Sequence, residues 1–243
     1  MSALDFNGTL DLAAGRVALG ADLVAPTAAR GLVLFAHGSG SGRRSPRNRG
    51  VASRLQAQGL ATLLVDLLTP AEARVLTSRG SPAPDLEDQA DRLVALIDHL
   101  PAPPLAALAE LPLGLFGAST GAAVALRVAA LRPERVRALV SRGGRPDLAG
   151  ASLAAVQAPT LLIVGGNDPG VLRLNRLAAD HLAAPWRLLV IPQAGHLFEE
   201  RGCLQQVAGA TATWFLEHLS QPQQERLGRC RSEAQYMGPL EGR

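Results

Sequence analysis

Short apolar runs alternate with segments of helical periodicity along most of this chain. The later apolar runs are nearly continuous, as strands buried on both faces of a sheet require. The predicted strands are residues 10–13, 16–24, 32–36, 61–67, 113–116, 136–141, 160–164 and 187–191. The predicted helices are residues 46–58, 85–100, 120–131, 171–182 and 203–219. This alternation predicts an α/β fold in which helices flank both faces of a mostly parallel central sheet.

The segments between these elements refine that picture. A Gly-containing turn joins the first two strands, which favours an antiparallel pair at one edge of the sheet. Residues 69–84 contain three prolines and a glycine, so we predict a long loop, either overhanging the carboxyl edge of the sheet or mobile at the surface. The connection 143–159 is too short for a large lid. We expect residues 1–219 to form a single domain and the polar residues 220–243 to be a disordered tail or a loosely docked extension.

Composition excludes several classes of function. The 243 residues carry a net charge of +3, and all 24 basic residues are arginines scattered along the chain. A nucleic-acid partner would require a basic stripe with interleaved aromatic residues, so none is expected. The two cysteines do not suggest a disulfide framework or a metal site. With no signal-peptide pattern and no apolar run of membrane length, we expect no membrane association and a cytoplasmic location.

The strongest chemical signal is Gly-x-Ser-x-Gly at residues 117–121. The pattern alone is weak in a glycine-rich chain, and a Gly-rich loop that contains a serine is the alternative interpretation. Its context is more specific, because an apolar strand precedes it and an Ala-rich helical pattern follows. In that context the serine occupies a sharp strand-to-helix turn that exposes its hydroxyl. We therefore predict that Ser119 is a nucleophile.

Partners for this serine follow in the chain. Asp168 comes directly after the strand 160–164, and His196 lies on the loop after the last strand. The order Ser119, Asp168, His196 is the one found in α/β-hydrolases. Histidine can take the serine proton near neutral pH, and the aspartate can orient the ring. Asp147, after the preceding strand, is the rival acid, and Asp168 before a proline has a simple turn role as its alternative.

A Gly/Ser-rich loop at residues 37–42 follows the third predicted strand. Such a loop lets backbone N–H groups approach a developing oxyanion without interference from side chains. One donor is expected from the N–H of Thr120 and the other from Ser39 or, failing that, Gly40. We expect His37 to orient this loop. A phosphate-binding role is disfavoured because the Rossmann spacing is absent and the chain has no lysine, so no cofactor is predicted.

These motifs, together with residues 35–49, 141–147 and 195–200, carry a resemblance to a known family. From about residue 10 to residue 219 the chain resembles the α/β-hydrolase superfamily, and within it the lidless dienelactone-hydrolase-like group. The resemblance implies an α/β-hydrolase fold without a large lid. Dienelactone hydrolases use a cysteine nucleophile where this chain has Ser119. The difference favours general carboxylesterase chemistry, without metal or cofactor, on a small ester or lactone.

Residues near the predicted nucleophile suggest how a substrate is held. Gly38 and Gly40 leave room for it, while Arg142 and Arg47 offer guanidinium groups suited to an anion. A structural ion pair or a brace to backbone carbonyls is the competing role for the arginines. The favoured function is a serine hydrolase that forms an acyl-enzyme. A non-catalytic binding or scaffold protein, and a thioesterase or peptidase with the same three residues, remain open, as does the oligomeric state.

Overall fold

The computed structural model describes residues 6–79, 85–219 and 235–237, with side chains over 6–75 and 85–219. Over these residues nine strands form one sheet. The strands are β1 (Phe6–Ala14), β2 (Val17–Ala25), β3 (Leu32–Ala36), β4 (Ala61–Val65), β5 (Leu113–Ala118), β6 (Val136–Arg142), β7 (Thr160–Gly165), β8 (Trp186–Ile191) and β9 (Gln235–Met237). The helices are α1 (Pro46–Gln56), α2 (Pro70–Arg79), α3 (Leu86–His99), α4 (Gly121–Leu131), α5 (Pro169–Ala179) and α6 (Cys203–Leu219), with 3₁₀ segments at Ala106–Leu108 and Pro146–Ala155.

The order of the strands confirms the predicted α/β-hydrolase architecture. Across the sheet they run β1-β2-β4-β3-β5-β6-β7-β8-β9. The hairpin β1–β2 is antiparallel and β2 pairs antiparallel with β4, while every pair from β4 through β3 to β9 is parallel. The 3₁₀ segment between β6 and β7 breaks at Gly150 and leaves no large lid there. All the parallel strands therefore present their carboxyl ends at one edge of the sheet.

Two apolar layers cover the sheet. Strands β3, β4, β5 and β7 are buried along their whole length, which explains their unbroken apolar sequence. Helices α3, α4 and α5 contribute to the core on one face, and α1 and α6 to the core on the other. Each large side chain buried there stabilises the fold by about 1.5–3 kcal/mol. The loops that follow the parallel strands depart from the carboxyl edge of the sheet, between these two layers.

The prediction of a long loop at residues 69–84 was wrong over most of its length. Residues Pro70–Arg79 form α2, and residues 80–84 lie outside the described part of the chain. The helix starts with a capping box. The N–H of Thr69 donates to Glu72 Oε2 at 2.7 Å, and the N–H of Glu72 donates to Thr69 Oγ1 at 3.3 Å. Pro70 sits at the first helical position, where its missing N–H has no cost.

The predicted tail is described only at Gln235–Met237, which form β9. This strand pairs in parallel with β8 at the edge of the sheet. The remainder of the tail, residues 220–234 and 238–243, lies outside the described residues, and the assignment of one domain to residues 1–219 stays a prediction. None of the described helices is both long enough and apolar enough to span a lipid bilayer.

Candidate active site

Ser119 lies at the turn between β5 and α4 in a conformation that L residues rarely adopt. Its φ is +52°, in the left-handed region where a residue with a side chain is strained. Neighbouring backbone holds it there: the Ser119 N–H donates to the carbonyl of Arg142 at 3.1 Å, and the Arg145 N–H donates to the carbonyl of Ser119 at 3.0 Å. The strained turn directs the serine side chain to the carboxyl edge of the sheet.

The two glycines of the motif are required by backbone packed on either side of this turn. A Cβ on Gly117 would lie 2.7 Å from the carbonyl oxygen of Gly121, and a Cβ on Gly121 would lie 2.7 Å from the carbonyl carbon of Ala36. Atoms of folded proteins do not approach so closely, so a side chain at either position would displace backbone. The glycine spacing therefore reflects a tight crossing of α4 over the ends of β3 and β5.

The structure brings Ser119, Asp168 and His196 together. Asp168 caps α5, where its Oδ1 accepts from the N–H of Val171 at 3.3 Å. Its other oxygen, Oδ2, lies 2.8 Å from His196 Nδ1. With Nδ1 donating to the carboxylate, Nε2 is left as an acceptor, and it lies 3.4 Å from Ser119 Oγ. That distance is long for a hydrogen bond.

The turn that carries Asp168 and the loop that carries His196 are joined by the backbone. The Asn167 N–H donates to the carbonyl of Ala194 at 2.9 Å, and the Asn167 side-chain amide donates to the carbonyl of Gln193 at 2.9 Å. On the other side of the loop, the Gly195 N–H donates to Glu200 Oε1 at 2.9 Å. Asn167 was not among the predicted site residues, although its position next to Asp168 was an available signal.

Asp147, the rival acid, is engaged elsewhere. Its carboxylate faces Arg145, with Arg145 Nη2 at 2.8 Å from Asp147 Oδ2 and Arg145 Nε at 2.9 Å from Asp147 Oδ1. This bidentate ion pair gives each oxygen of the Asp147 carboxylate a hydrogen bond. In the described structure it is Asp168, and not Asp147, that contacts the histidine.

The predicted oxyanion donors lie close together, but one of them departs from expectation. The N–H of Ser39 donates to Thr120 Oγ1 at 2.9 Å, and the two hydroxyls are 3.1 Å apart. The Ser39 N–H is therefore engaged by the side chain of the residue that follows the nucleophile, and it is not free for an oxyanion in this structure. The sequence could not reveal this contact because the two residues lie on loops that meet only in the folded chain.

The loop that carries Ser39 is built against the nucleophile. A Cβ on Gly38 would lie 2.8 Å from the Cβ of Ser119, so only glycine fits there, and Gly40 has a φ of +71°. His37 is buried; its Nδ1 donates to the carbonyl of Gly38 at 2.9 Å, and its Nε2 accepts from the N–H of Leu67 at 2.8 Å. Burial lowers the pKa of His37, which favours the neutral ring that both bonds need. His37 thus ties the loop to the chain after β4.

The two candidate anion-binding arginines also lie near this edge. Arg142 is the last residue of β6 and is buried, with its Nη2 at 3.4 Å from Asn48 Oδ1. Arg47, in the first turn of α1, pairs with Glu199 at 2.7 Å. Among the side chains that the structure describes, no group of three or more His, Cys, Asp or Glu is arranged to hold a metal ion. At this edge a serine hydroxyl, a histidine imidazole and an aspartate carboxylate lie in a line in space, with backbone N–H groups beside them.

Comparison with known proteins gives concordant results. Residues 29–221 match the family described as Alpha/beta hydrolase domain. A crystal structure of a dienelactone hydrolase from Anabaena variabilis is 50% identical, with a TM-score of 0.84 over 88% of this chain and 98% of that one. The structure of Est1E from Butyrivibrio proteoclasticus, at 15% identity, has a TM-score of 0.71 over 88% of this chain and all of that one, and so shares the fold alone.

Two curated relatives come from strains of Mycobacterium tuberculosis, each carrying the name "Putative phosphoribosyl transferase". Each is 51% identical over 213 residues, which is 88% of this chain. The chain spans 47% of the length of these relatives.

Proposed function

Because the chain belongs to the α/β-hydrolase family and resembles its dienelactone-hydrolase-like group, we propose that it is a serine hydrolase that cleaves small carboxylic esters or lactones through an acyl-enzyme. The observation that carries the proposal is the continuous line of contacts from Asp168 through His196 to Ser119. A second support is the positive φ of Ser119, a strain that is typical of functional sites.

In the first half of the reaction, Ser119 Oγ attacks the carbonyl carbon while His196 Nε2 accepts the hydroxyl proton. Asp168 stabilises the imidazolium that results and keeps the ring in the productive tautomer. The carbonyl oxygen becomes an oxyanion that the N–H of Thr120 stabilises. A second donor is Ser39, once its N–H leaves Thr120 Oγ1, or Gly40. Each such donor contributes about 3–4 kcal/mol to transition-state stabilisation.

Collapse of the tetrahedral intermediate breaks the bond to the alcohol, which leaves with the proton held by His196. Water then enters, and His196 takes a proton from it as it attacks the acyl carbon. The second tetrahedral intermediate expels Ser119 Oγ, which recovers the proton. For a lactone, the alcohol and the acid belong to one molecule, so the product is a single hydroxy acid.

The relatives, together with the short connection between β6 and β7, indicate the size of the substrate. The identity to the Anabaena dienelactone hydrolase supports small esters or lactones over long-chain lipids, as does the absence of a large lid between β6 and β7. Phosphoribosyl transfer is not part of the proposed function, because this chain spans 47% of the length of the Mycobacterium relatives. Thioester or peptide cleavage would use the same three side chains, so a panel of substrates is needed to distinguish it from ester cleavage.

The proposal predicts that Ser119→Ala removes turnover of p-nitrophenyl acetate, with kcat reduced on the order of 10⁴-fold or more, because the hydroxyl that forms the acyl-enzyme is lost. Ser53→Ala, an exposed serine of α1, is the matched control and should retain wild-type kcat. Both variants are compared by circular dichroism, to establish that they are folded, and by release of p-nitrophenolate.

A fluorophosphonate probe separates the enzyme from a scaffold protein with the same fold. Labelling that is present in wild type and in Ser53→Ala but absent in Ser119→Ala supports the nucleophile. Undiminished turnover by a folded Ser119→Ala protein would reject the serine mechanism. A panel of short esters, lactones, thioesters and peptides then assigns the acyl-transfer class, and hydrolysis of thioesters or peptides alone would contradict the proposed substrate.

A further inference from the structure

The loop that carries the proposed oxyanion donors has little internal structure to hold its shape. This oxyanion loop, residues 38–42, reads Gly-Ser-Gly-Ser-Gly, and glycine loses more conformational freedom on folding than any other residue. Among the described backbone contacts, a single bond joins two of its residues, from the Ser41 N–H to the carbonyl of Gly38 at 3.2 Å. A catalytic group misplaced by about 1 Å can cost on the order of 100-fold in rate. Contacts outside the loop therefore have to fix it.

Arg43 directly follows the oxyanion loop and anchors its far end. Its backbone N–H donates to Asp66 Oδ1 at 2.7 Å, and its Nη1 donates to Oδ2 of the same carboxylate. Its Nε donates to Asp22 Oδ1 of β2 at 3.1 Å. The Arg43 side chain is 16% exposed, and solvent and salt weaken such a partly buried ion pair less than an exposed one. One carboxylate thus holds both the main chain and the side chain of Arg43.

Two consecutive residues after β4 hold both ends of the oxyanion loop. The N–H of Leu67 donates to Nε2 of His37, just before the loop, at 2.8 Å. The adjacent Asp66 binds Arg43, just after the loop. Asp66 is itself fixed to the sheet, because its N–H donates to the carbonyl of Gly20 in β2 at 2.9 Å. The separation of the two ends of the loop is therefore set at the end of a buried strand.

Two glycines leave room for this anchor. A Cβ on Gly20 would lie 2.8 Å from Arg43 Nη1, and a Cβ on Gly42 would lie 2.6 Å from Asp66 Oδ1. Neither glycine has a positive φ, so it is the space taken by the ion pair that excludes a side chain there. A side chain at either position would push the guanidinium and the carboxylate out of place.

We propose that Arg43 and Asp66 are positioning residues of the oxyanion loop. Through residues 38–42 they hold the N–H groups of Ser39 and Gly40 where the oxyanion forms beside Ser119. This inference rests on the proposed function and adds two residues to its site, both of which act through the loop. The oxyanion exists in the transition states and tetrahedral intermediates but not in the bound substrate, so displaced donors lower kcat and leave KM little changed.

The first test removes the guanidinium. Arg43→Met should lower kcat on p-nitrophenyl acetate on the order of 10- to 100-fold and leave KM within about 3-fold, because the loop loses its charged anchor. Arg43→Lys, which keeps the charge without the planar fork, should recover part of the loss. Arg49→Met is the matched control, since Arg49 pairs with the same Asp22, at 2.6 Å, from α1 instead of from the loop. It should change neither constant, and circular dichroism establishes that all three variants are folded.

The second test reaches the ion pair from another strand. Gly20→Ala places a methyl group against Arg43 Nη1 without altering the loop or any charge. We expect kcat to fall on the order of 5-fold, again with little change in KM. The double variant with Arg43→Met should be no slower than Arg43→Met alone, because the contact that the methyl group disturbs is already lost. Fully additive losses would show that Gly20→Ala acts by another route and would contradict the proposal.

Amide hydrogen exchange keeps the anchor testable apart from turnover. The N–H groups of Ser39, Ser41 and Arg43 are hydrogen-bonded in the structure, and in Arg43→Met they should exchange on the order of 10-fold faster than in wild type or Arg49→Met. If wild type hydrolyses no ester, the proposed function fails, while faster exchange still supports the anchoring of the loop. Unchanged exchange in a folded Arg43→Met protein, an unchanged kcat, or an effect on KM alone would overturn the inference.

Discussion

At the scale of single residues, the site separates two carboxylates that look alike in the sequence. Asp147 and Asp168 follow neighbouring strands, β6 and β7, and both emerge at the same edge of the sheet. Asp147 is held by Arg145, whereas Asp168 accepts from His196 Nδ1. The environment of each carboxylate, and not its residue type, gives it a role.

This difference predicts the effect of removing each charge. Asp168→Asn should lower kcat about 10⁴-fold on p-nitrophenyl acetate, because an amide in that place favours the wrong imidazole tautomer. Asp147→Asn should leave kcat within about 3-fold, since its partner is Arg145. Steady-state kinetics of both variants make the comparison, and a larger loss in Asp147→Asn than in Asp168→Asn would assign the acid to the other strand.

At the scale of elements, α2 shows how a short helix can be stabilised at its first turn and at one ion pair. Thr69 and Glu72 cap the helix reciprocally, and Glu72 also pairs with Arg92 of α3 at 2.6 Å. Arg92 further donates to the carbonyl of Leu67 at 2.8 Å. The bonds that Glu72 makes with Arg92 and Thr69, led by the one from Arg92, lower the pKa of Glu72 from 4.5 to about 2. The contacts fasten α2 to the layer of α3.

The lowered pKa of Glu72 sets a pH window. Because its folded-state pKa is below its unfolded value, the stabilisation from the charged carboxylate is present above about pH 4.5 and is lost as the pH falls towards 2. Glu72→Gln keeps the capping geometry but removes the charge, so we expect the free energy of unfolding to fall by about 1 kcal/mol at pH 7.0 and by less at pH 4.0. Urea unfolding at both pH values measures it, with the exposed Glu110→Gln as control. An equal loss at the two pH values would show that the charge is irrelevant.

At the scale of the whole molecule, the site is assembled where the parallel strands end between two helical layers. Loops after β3, β5, β7 and β8 supply its parts, and the rigid sheet fixes the distances among them. His37 links this assembly to the buried interior, because its buried ring bonds both the loop after β3 and the chain after β4. A neutral ring is therefore built into the folded state.

Folding stability should depend on this ring. The pKa of His37 is lowered below its ordinary 6.5 by burial, although the carbonyl of Gly38 and the carboxylate of Asp66 oppose the shift. As the pH falls below about 6.5, the unfolded chain binds a proton that the folded ring resists. The free energy of unfolding then decreases by at most about 1.4 kcal/mol per pH unit for this one proton. Denaturant unfolding between pH 7.5 and 5.0 should show a smaller pH dependence in His37→Asn than in wild type, while His181→Asn, an exposed histidine, should match wild type. An unchanged pH dependence in His37→Asn would contradict this account.

The strands and the order of the candidate catalytic residues could be predicted because both depend on short patterns of neighbouring residues in the sequence. A strand buried on both faces must be apolar throughout, and a serine on a tight turn needs glycines two positions before and after it. Helix α2 was not predicted although its Thr-x-x-Glu capping box is present, because the three prolines and the glycine of residues 69–84 favour a loop. The strand Gln235–Met237 was missed because its partner, β8, is far away in the chain.

The sequence by itself thus determined the fold class, the sharp turn at Ser119 and the candidate acid and base. Each depends on a short run of residues whose packing or backbone geometry permits few alternatives. Only the tertiary structure decided which aspartate reaches His196, that Thr120 engages the N–H of Ser39, and that Arg142 is buried with no counter-ion among the described residues. Those outcomes depend on distances between loops far apart in the chain, which are set by the pairing of the strands and the packing of the helices around them.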